Sequence, residues 1–311
     1  MVFKKFQPKS RYYPFPRKIT NYFWPAFTSQ SNSIKWIHSS NGMILRPSYF
    51  LKQIAMVHDL VAFRYGDMKA KSDTEPWRIR LANVAKYADC ITTNSTSTKS
   101  DFLNFFPKAE GKVFVTPLGI DHFQVRTHNS EKISKKHILT VGTVEPRKNI
   151  DGLIRAYSIL NQEQKNLPRL VIAGMDGFKA DECKQLATDL KLEEKVEFTG
   201  FISDTKLASL YSEAYCLVHP AYHEGFGFTV PEAFTWRLPV VASNVGGLGE
   251  FFSKAAWMVD PSDIESIASG IKHALEKGVT SEQKQARQIL TKTLTWNSCA
   301  IKTLNAMQNF T

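Results

Sequence analysis

Two carboxylates, Glu224 and Glu232, stand with seven residues between them, among which are Gly225, Gly227 and Pro231. The glycines let backbone N–H groups approach a ligand with no Cβ in the way. Pro231 suits the first turn of a helix, where a missing N–H costs nothing. Glu224 is therefore expected on a loop and Glu232 in the helical turn behind it. The free N–H groups of a helix start attract an anion. Carboxylates accept hydrogen bonds from hydroxyls. The chemistry this pattern suits is recognition of a ligand bearing both phosphate and sugar hydroxyls. The plainer alternative is a Gly-rich turn before a helix whose acids favour its dipole.

The elements around this pattern repeat in a regular way. Residues 215–219 and 238–243 read as buried strands on either side of it, so the unit is strand, loop, helix, strand. Further strands are expected at 137–142, 169–174, 195–200 and 256–260. Helices are expected from Asn149 as N-cap, over 179–192, from Ser203 or Asp204, and near 263–277 and 281–293. This alternation predicts a doubly wound parallel sheet of about six strands. Before residue 125 the pattern is looser. Strands are expected at 34–38, 53–58, 89–94 and 112–116, with a helix over 77–87.

Composition narrows the class. A chain of 311 residues, 43% hydrophobic and 22% charged, fits two globular domains. Cys90, Cys183, Cys216 and Cys299 are too scattered for a disulfide framework or a zinc site. No apolar run approaches the roughly 18–20 residues of a membrane span, and a signal-peptide h-region is missing. The reading is a cytoplasmic protein. The formal charge of +11 is concentrated early: residues 1–66 hold ten Lys/Arg against the single acid Asp59. Phe3, Phe6, Tyr12, Tyr13, Phe15, Phe23 and Trp24 are interleaved with those cations. Such a segment fits an anionic membrane surface or a solvated face over core aromatics. Basic charge alone carries little nucleic-acid specificity, and no nucleic-acid partner is expected.

The ordered set VHDL (57–60), NSTSTKSD (94–101), VFVTPLGID (113–121), VGTVEPRKNI (141–150) and YHEGFGFTVPEAF (222–234) resembles the signatures of family 4 glycosyltransferases. The resemblance spans most of the chain. It implies the GT-B fold, two Rossmann-like domains facing a cleft. Residues 1–125 would form an abbreviated acceptor-side domain and 126–295 the nucleotide-sugar domain. Residues 296–311 would form a helix crossing back. It implies a hexosyltransferase that uses a GDP-, dTDP- or UDP-linked sugar and a surface-glycan or lipid-linked acceptor. The VEPRKN loop leans towards mannose or rhamnose. Retention of configuration is implied, by a front-face substitution in which the leaving phosphate helps to deprotonate the acceptor. With no D-x-D motif in place, metal independence is implied too, with no cofactor beyond the donor itself.

By the same resemblance Lys148 would meet the diphosphate, with Arg147 beside it in a more structural role. Thr143 stands where an arginine is common and offers only a hydroxyl. Glu224 would hold the sugar hydroxyls, bracketed by the backbone of Gly225, Phe226, Gly227, Phe228 and Thr229. Glu232 would take the ribose. The base would lie near Phe198 to Ile202, read by backbone groups. His58 would face the transferred sugar.

The chain departs from the family at its beginning. Trp36 arrives early, and two to three βα units, roughly 70–90 residues at about 30 residues each, are not matched. A late start, a compact or decayed variant, and a split enzyme completed by a partner chain each fit. The rival readings are a nucleotide-sugar-binding subunit of a split or inactive transferase and an epimerase of the same fold. Arg237 stands where the family commonly has glycine, and Gly249 where proline is common.

Overall fold

The structure is a computed structural model that describes residues 36–42, 44, 51–65, 71–123, 134–164 and 166–310. The basic aromatic segment before residue 34 lies outside them, and with it the expected membrane contact. Strands form where short apolar runs stand between turn residues. The first sheet runs β1 (Trp36–Ser39), β2 (Lys52–Val57), β3 (Cys90–Thr93), β4 (Val113–Val115), every pairing parallel. Its helices are α1 (Val61–Arg64), α2 (Lys71–Tyr87) and α3 (Thr96–Phe105). α2 begins at Lys71, ahead of the expected Trp77, and carries Pro76 inside it, which removes one ladder bond. Ser95 caps α3 by accepting from the Thr98 N–H.

The second sheet holds β5 (His137–Val141), β6 (Arg169–Ala173), β7 (Val196–Gly200), β8 (Ala214–His219), β9 (Val240–Ser243) and β10 (Trp257–Val259), in the order β10-β9-β8-β5-β6-β7. The helices in chain order are α4 (Ile150–Glu163), α5 (Ala180–Asp189), α6 (Asp204–Glu213), α7 (Thr229–Thr235), α8 (Gly246–Phe252), α9 (Ile264–Lys277), α10 (Ser281–Thr293) and α11 (Trp296–Gln308). Successive strand residues point to opposite faces, and the core divides accordingly. Ile138, Leu170, Ile172, Cys216, Val218 and Val241 join one cluster with Leu153 and Ile154 of α4 and Ile267 and Ile271 of α9. Leu139, Val171, Leu217, Val240 and Ala242 join the other with Tyr211, Val230 and Phe252 of α6, α7 and α8. Each fully buried side chain of this size stabilises the fold by about 1.5–3 kcal/mol.

Asn149 stands at the N-cap position of α4, as expected, and its carbonyl accepts from Leu153 N–H at 3.1 Å, but its side chain makes no capping bond. It takes a left-handed conformation, φ 56°. Its side-chain amide donates instead to the carbonyls of Pro220 (3.0 Å) and Pro261 (2.7 Å). Asn tolerates that conformation, and two buried carbonyls need a donor more than the helix start does. Arg237 is left-handed as well, φ 57°.

The chain crosses between the two sheets at two adjacent places. Ile120 N–H donates to Leu294 O at 2.9 Å, and Trp296 N–H to Asp121 Oδ1 at 2.8 Å. A Cβ on Gly119 would lie 2.2 Å from Trp296 N, so only glycine fits there. α11 then lies against the first sheet, where Ala306 packs with Ile54 and Cys90.

Candidate active site

In the second sheet β5 and β8 are neighbours, yet the chain leaves β5 towards β6 on one side and leaves β8 towards β9 on the other. Loops diverge at such a switch point and open a crevice at the carboxyl ends of the strands. The loop after β5 carries Thr143 and a tight turn over Pro146–Lys148. The loop after β8 carries Glu224. This topology brings together residues 76 apart in sequence: Lys148 Nζ donates to Glu224 Oε1. Arg147 Nη1 approaches the same oxygen at 3.0 Å, and His219 Nε2 lies 3.2 Å from it. A carboxylate only accepts, so the His219 tautomer facing it carries its proton on Nε2.

Burial alone would push the Glu224 carboxyl up, but Lys148, the His219 hydrogen bond and Arg147 together hold it well below its ordinary range. It is therefore ionised. Burial, helped by Lys148, lowers the His219 imidazole, which is neutral at pH 7. Among the described residues Glu224 Oε2 has no protein partner. It is the oxygen left for a hydroxyl.

Arg147 is occupied elsewhere as well. Its Nε and Nη2 donate to Glu145 Oε1 at 3.1 and 2.8 Å, and its Nη1 to the His223 carbonyl at 3.1 Å. It braces the two loops. Lys148 has Glu224 as its one hydrogen-bond partner among the described residues.

Glu224 lies on the loop and Glu232 in the first turn of α7, as the spacing requires. Glu232 Oε2 accepts from the Tyr211 hydroxyl at 3.1 Å. Burial, then Glu232, pushes that hydroxyl far up, so it stays protonated and donates. The Phe226 side chain is buried among Phe228, Phe251 and Phe252, so only its backbone can meet a ligand. The N–H groups of Phe226, Gly227 and Phe228 have no hydrogen-bond partner among the described residues. Thr229 opens α7. Gly227 sits at φ 85°.

Gly225 is needed for a reason other than ligand approach. A Cβ there would stand 1.8 Å from the His58 carbonyl, so the two units touch at this residue. The same carbonyl accepts from Asn94 Nδ2 at 2.9 Å. Nearby, the Glu250 carboxylate of α8 accepts the N–H groups of Thr96 (3.0 Å) and Ser97 (3.1 Å) at the start of α3. The buried His223 and Asp101 face each other across this seam at 3.8 Å.

The His58 ring turns to the Ser40 carbonyl, 2.8 Å away, and not to the Glu224 cluster. It lines a small cavity with Asp59, Asn41, Trp77 and Leu81. The Thr143 methyl lies against Gly177. Phe198 and Ile202 are partly buried against the two cores, which leaves mainly their backbone at the sheet end. Beside them Phe201 is 79% exposed and Met175 54%, and the isolated bridge between Gly174 and Gly200 brings the ends of β6 and β7 together here. Sequence reasoning missed His219, Tyr211 and Met175. Alternation marked His219 as the end of a strand, but nothing local signals a partner five residues ahead. Among the described residues no helix is long and apolar enough to cross a membrane.

Two parallel α/β units meeting along a seam, with a charged cluster at the switch point of the second, are the architecture of GT-B glycosyltransferases. The chain belongs to the family of glycosyl transferases group 1, whose model matches residues 123–292. It is 28% identical to O-antigen chain mannosyltransferase B of Escherichia coli, over 84% of this chain and 72% of that one. An uncharacterised glycosyltransferase of Methanocaldococcus jannaschii is 32% identical, over 87% and 72%. Sucrose-phosphate synthase of Thermosynechococcus elongatus shares the fold, with TM-score 0.71 at 22% identity, over 95% of this chain and 80% of that one.

Proposed function

We propose that the chain transfers a hexose, mannose in preference, from a nucleotide diphosphate sugar to a surface-glycan or lipid-linked acceptor. The observation that carries this reading is the Glu224 carboxylate, ionised at the switch point, with Lys148 bonded to it and Oε2 open. Glu224 accepts a hydroxyl of the donor sugar through Oε2. Lys148 turns from Glu224 to the diphosphate and offsets the charge that grows as the glycosidic bond breaks. Glu232, oriented by Tyr211, takes the ribose hydroxyls, and the N–H groups of Phe226 to Phe228 meet the distal phosphate. The rim of Met175 and Phe201 gives the base an apolar neighbour. Likeness to the Escherichia coli O-antigen mannosyltransferase supports mannose and a cell-surface glycan.

The transfer is read as retaining, with the departing phosphate accepting the acceptor proton on the same face, and as independent of a metal, with Lys148 as the counter-charge. On this reading the protein works on the cytoplasmic side of a membrane that holds its acceptor. The test is transfer from GDP-mannose, UDP-glucose and dTDP-rhamnose to a lipid-linked glycan, with and without chelator, with the anomer of the product determined. Turnover with one donor, kept in chelator and giving the donor's own anomer, is expected. Turnover that stops in chelator, or an inverted anomer, would overturn the corresponding part.

A further inference from the structure

Glu224 is crowded on one side only. Oε1 takes Lys148, Arg147 and His219, while Oε2 has no protein partner among the described residues. The three donors differ in freedom. Arg147 is tied to Glu145 and to the His223 carbonyl, so it cannot follow a carboxylate that moves. Lys148 sits on a flexible stem over Gly142. It is the group that can turn towards an arriving phosphate. His219 is fixed at the end of β8, in register with Ala242 of β9, and its side chain is 3% exposed. Its Nε2–H is aimed at Oε1 in either protonation state.

When Lys148 departs, the carboxylate loses its closest partner. A buried carboxylate left short of donors reorients or takes up a proton. We propose that His219 is a positioning residue that holds Glu224 in place, with Oε2 turned to the donor sugar, once Lys148 has moved to the diphosphate. The proposal rests on Glu224 being the acid that holds the sugar. It makes a division: His219 acts on the binding of the hexose and leaves the binding of the nucleotide alone.

The experiment is calorimetric titration of the whole chain with GDP-mannose against GDP, UDP-glucose against UDP, and dTDP-rhamnose against dTDP. The variants are His219→Gln, which keeps an N–H donor, His219→Met, which fills the site without one, and Glu224→Gln. Melting curves confirm folding, and His219→Phe replaces the Met variant if that one does not fold. For the pair the wild type binds, His219→Met is expected to weaken the sugar nucleotide about tenfold, the worth of one hydrogen bond to a charged group. The free nucleotide should bind within about twofold of wild type. His219→Gln should recover most of the loss. A His219→Met/Glu224→Gln double variant should lose no more than Glu224→Gln alone. Equal weakening of sugar nucleotide and nucleotide in His219→Met, or no weakening while Glu224→Gln loses the sugar, would overturn the role of His219 and leave the reading of Glu224 standing. If Glu224→Gln loses nothing, or the wild type binds no sugar nucleotide more tightly than its nucleotide, the reading of Glu224 falls and the proposal with it.

Discussion

The six-stranded sheet covers both of its faces with helices drawn mostly from its own stretch of chain, whereas the four-stranded sheet covers one face with its own helices and takes the cover of the other from elsewhere. In the larger sheet Leu139 and Ile138, adjacent in sequence, anchor two separate cores. In the smaller one Ala55, Val57 and Ile91 pack under α2 and α3. On the opposite face, Ile54 and Cys90 lie under α11, and Met56 joins the core of the other unit. The half that carries Lys148, Glu224 and Glu232 is self-sufficient. The half that carries His58 is set in place by contact.

Lys148→Ala is the sharpest way to test that division. Transfer should fall about 100- to 1,000-fold, the scale of one electrostatic stabiliser. The melting temperature should fall modestly, since Glu224 loses its closest partner while Arg147 and His219 still hold it. A large drop in melting temperature would instead make Lys148 a structural residue. Leu139→Ala and Ile37→Ala compare the frames directly. The first should cost about 3 kcal/mol in denaturant unfolding, and the second, on a half-buried edge strand, under about 1 kcal/mol. Equal costs would erase the contrast between the sheets. Gly225→Ala forces a Cβ against the His58 carbonyl, an overpacking worth about 1–3 kcal/mol. Activity should fall roughly 10- to 100-fold, because the closed seam no longer forms, while nucleotide binding survives. Joint loss of both would place Gly225 in the nucleotide site.

Acid should act on the larger unit. Burial is the main force lowering the imidazoles of His137, His219 and His223. Each binds protons less readily in the folded state than in the unfolded one. Their stability contribution is complete above the unfolded value of about 6.5 and is lost as pH falls from there towards the lowered folded values. Glu224 acts lower: its contribution is present above the ordinary value of 4.5 and is lost as pH falls through its depressed folded value. The melting temperature should fall from pH 7 to pH 5, and His137→Gln, which keeps an N–H for the Leu210 carbonyl 3.0 Å away, should flatten the fall. An unchanged slope would clear His137 of any part in it. Arg237→Gly comes last, with a gain of at most about 1 kcal/mol from relieving a left-handed, exposed residue.

What was legible in the sequence follows the range of the interaction. Strand runs such as Leu170-Val171-Ile172 and the glycine-flanked Glu224 announce themselves within a few residues, so the larger sheet and the loop-and-helix setting of the two glutamates could be read directly. His219 could not, since its partner depends on how the loop after β8 folds back. The N-cap position of Asn149 was legible, but the work of its side chain was not, because its two carbonyl partners, Pro220 and Pro261, are 71 and 112 residues away. A local capping rule cannot see them. At Gly225 the residue type was legible but the His58 carbonyl against it was not, since that carbonyl comes from the other sheet.

The placement of α11 has a consequence for the order of events during synthesis. Among the described residues, Ile54, Cys90 and Phe114 on the outer face of the first sheet gain their helical cover only when Ala306, Met307 and Phe310 emerge. At roughly 5–20 residues per second, the roughly 200 residues between Cys90 and Ala306 take about 10–40 s to translate. For that interval the growing chain displays an apolar surface on its first half while its second half is still being made. Holding factors that recognise exposed apolar strands have that window in which to act on this chain.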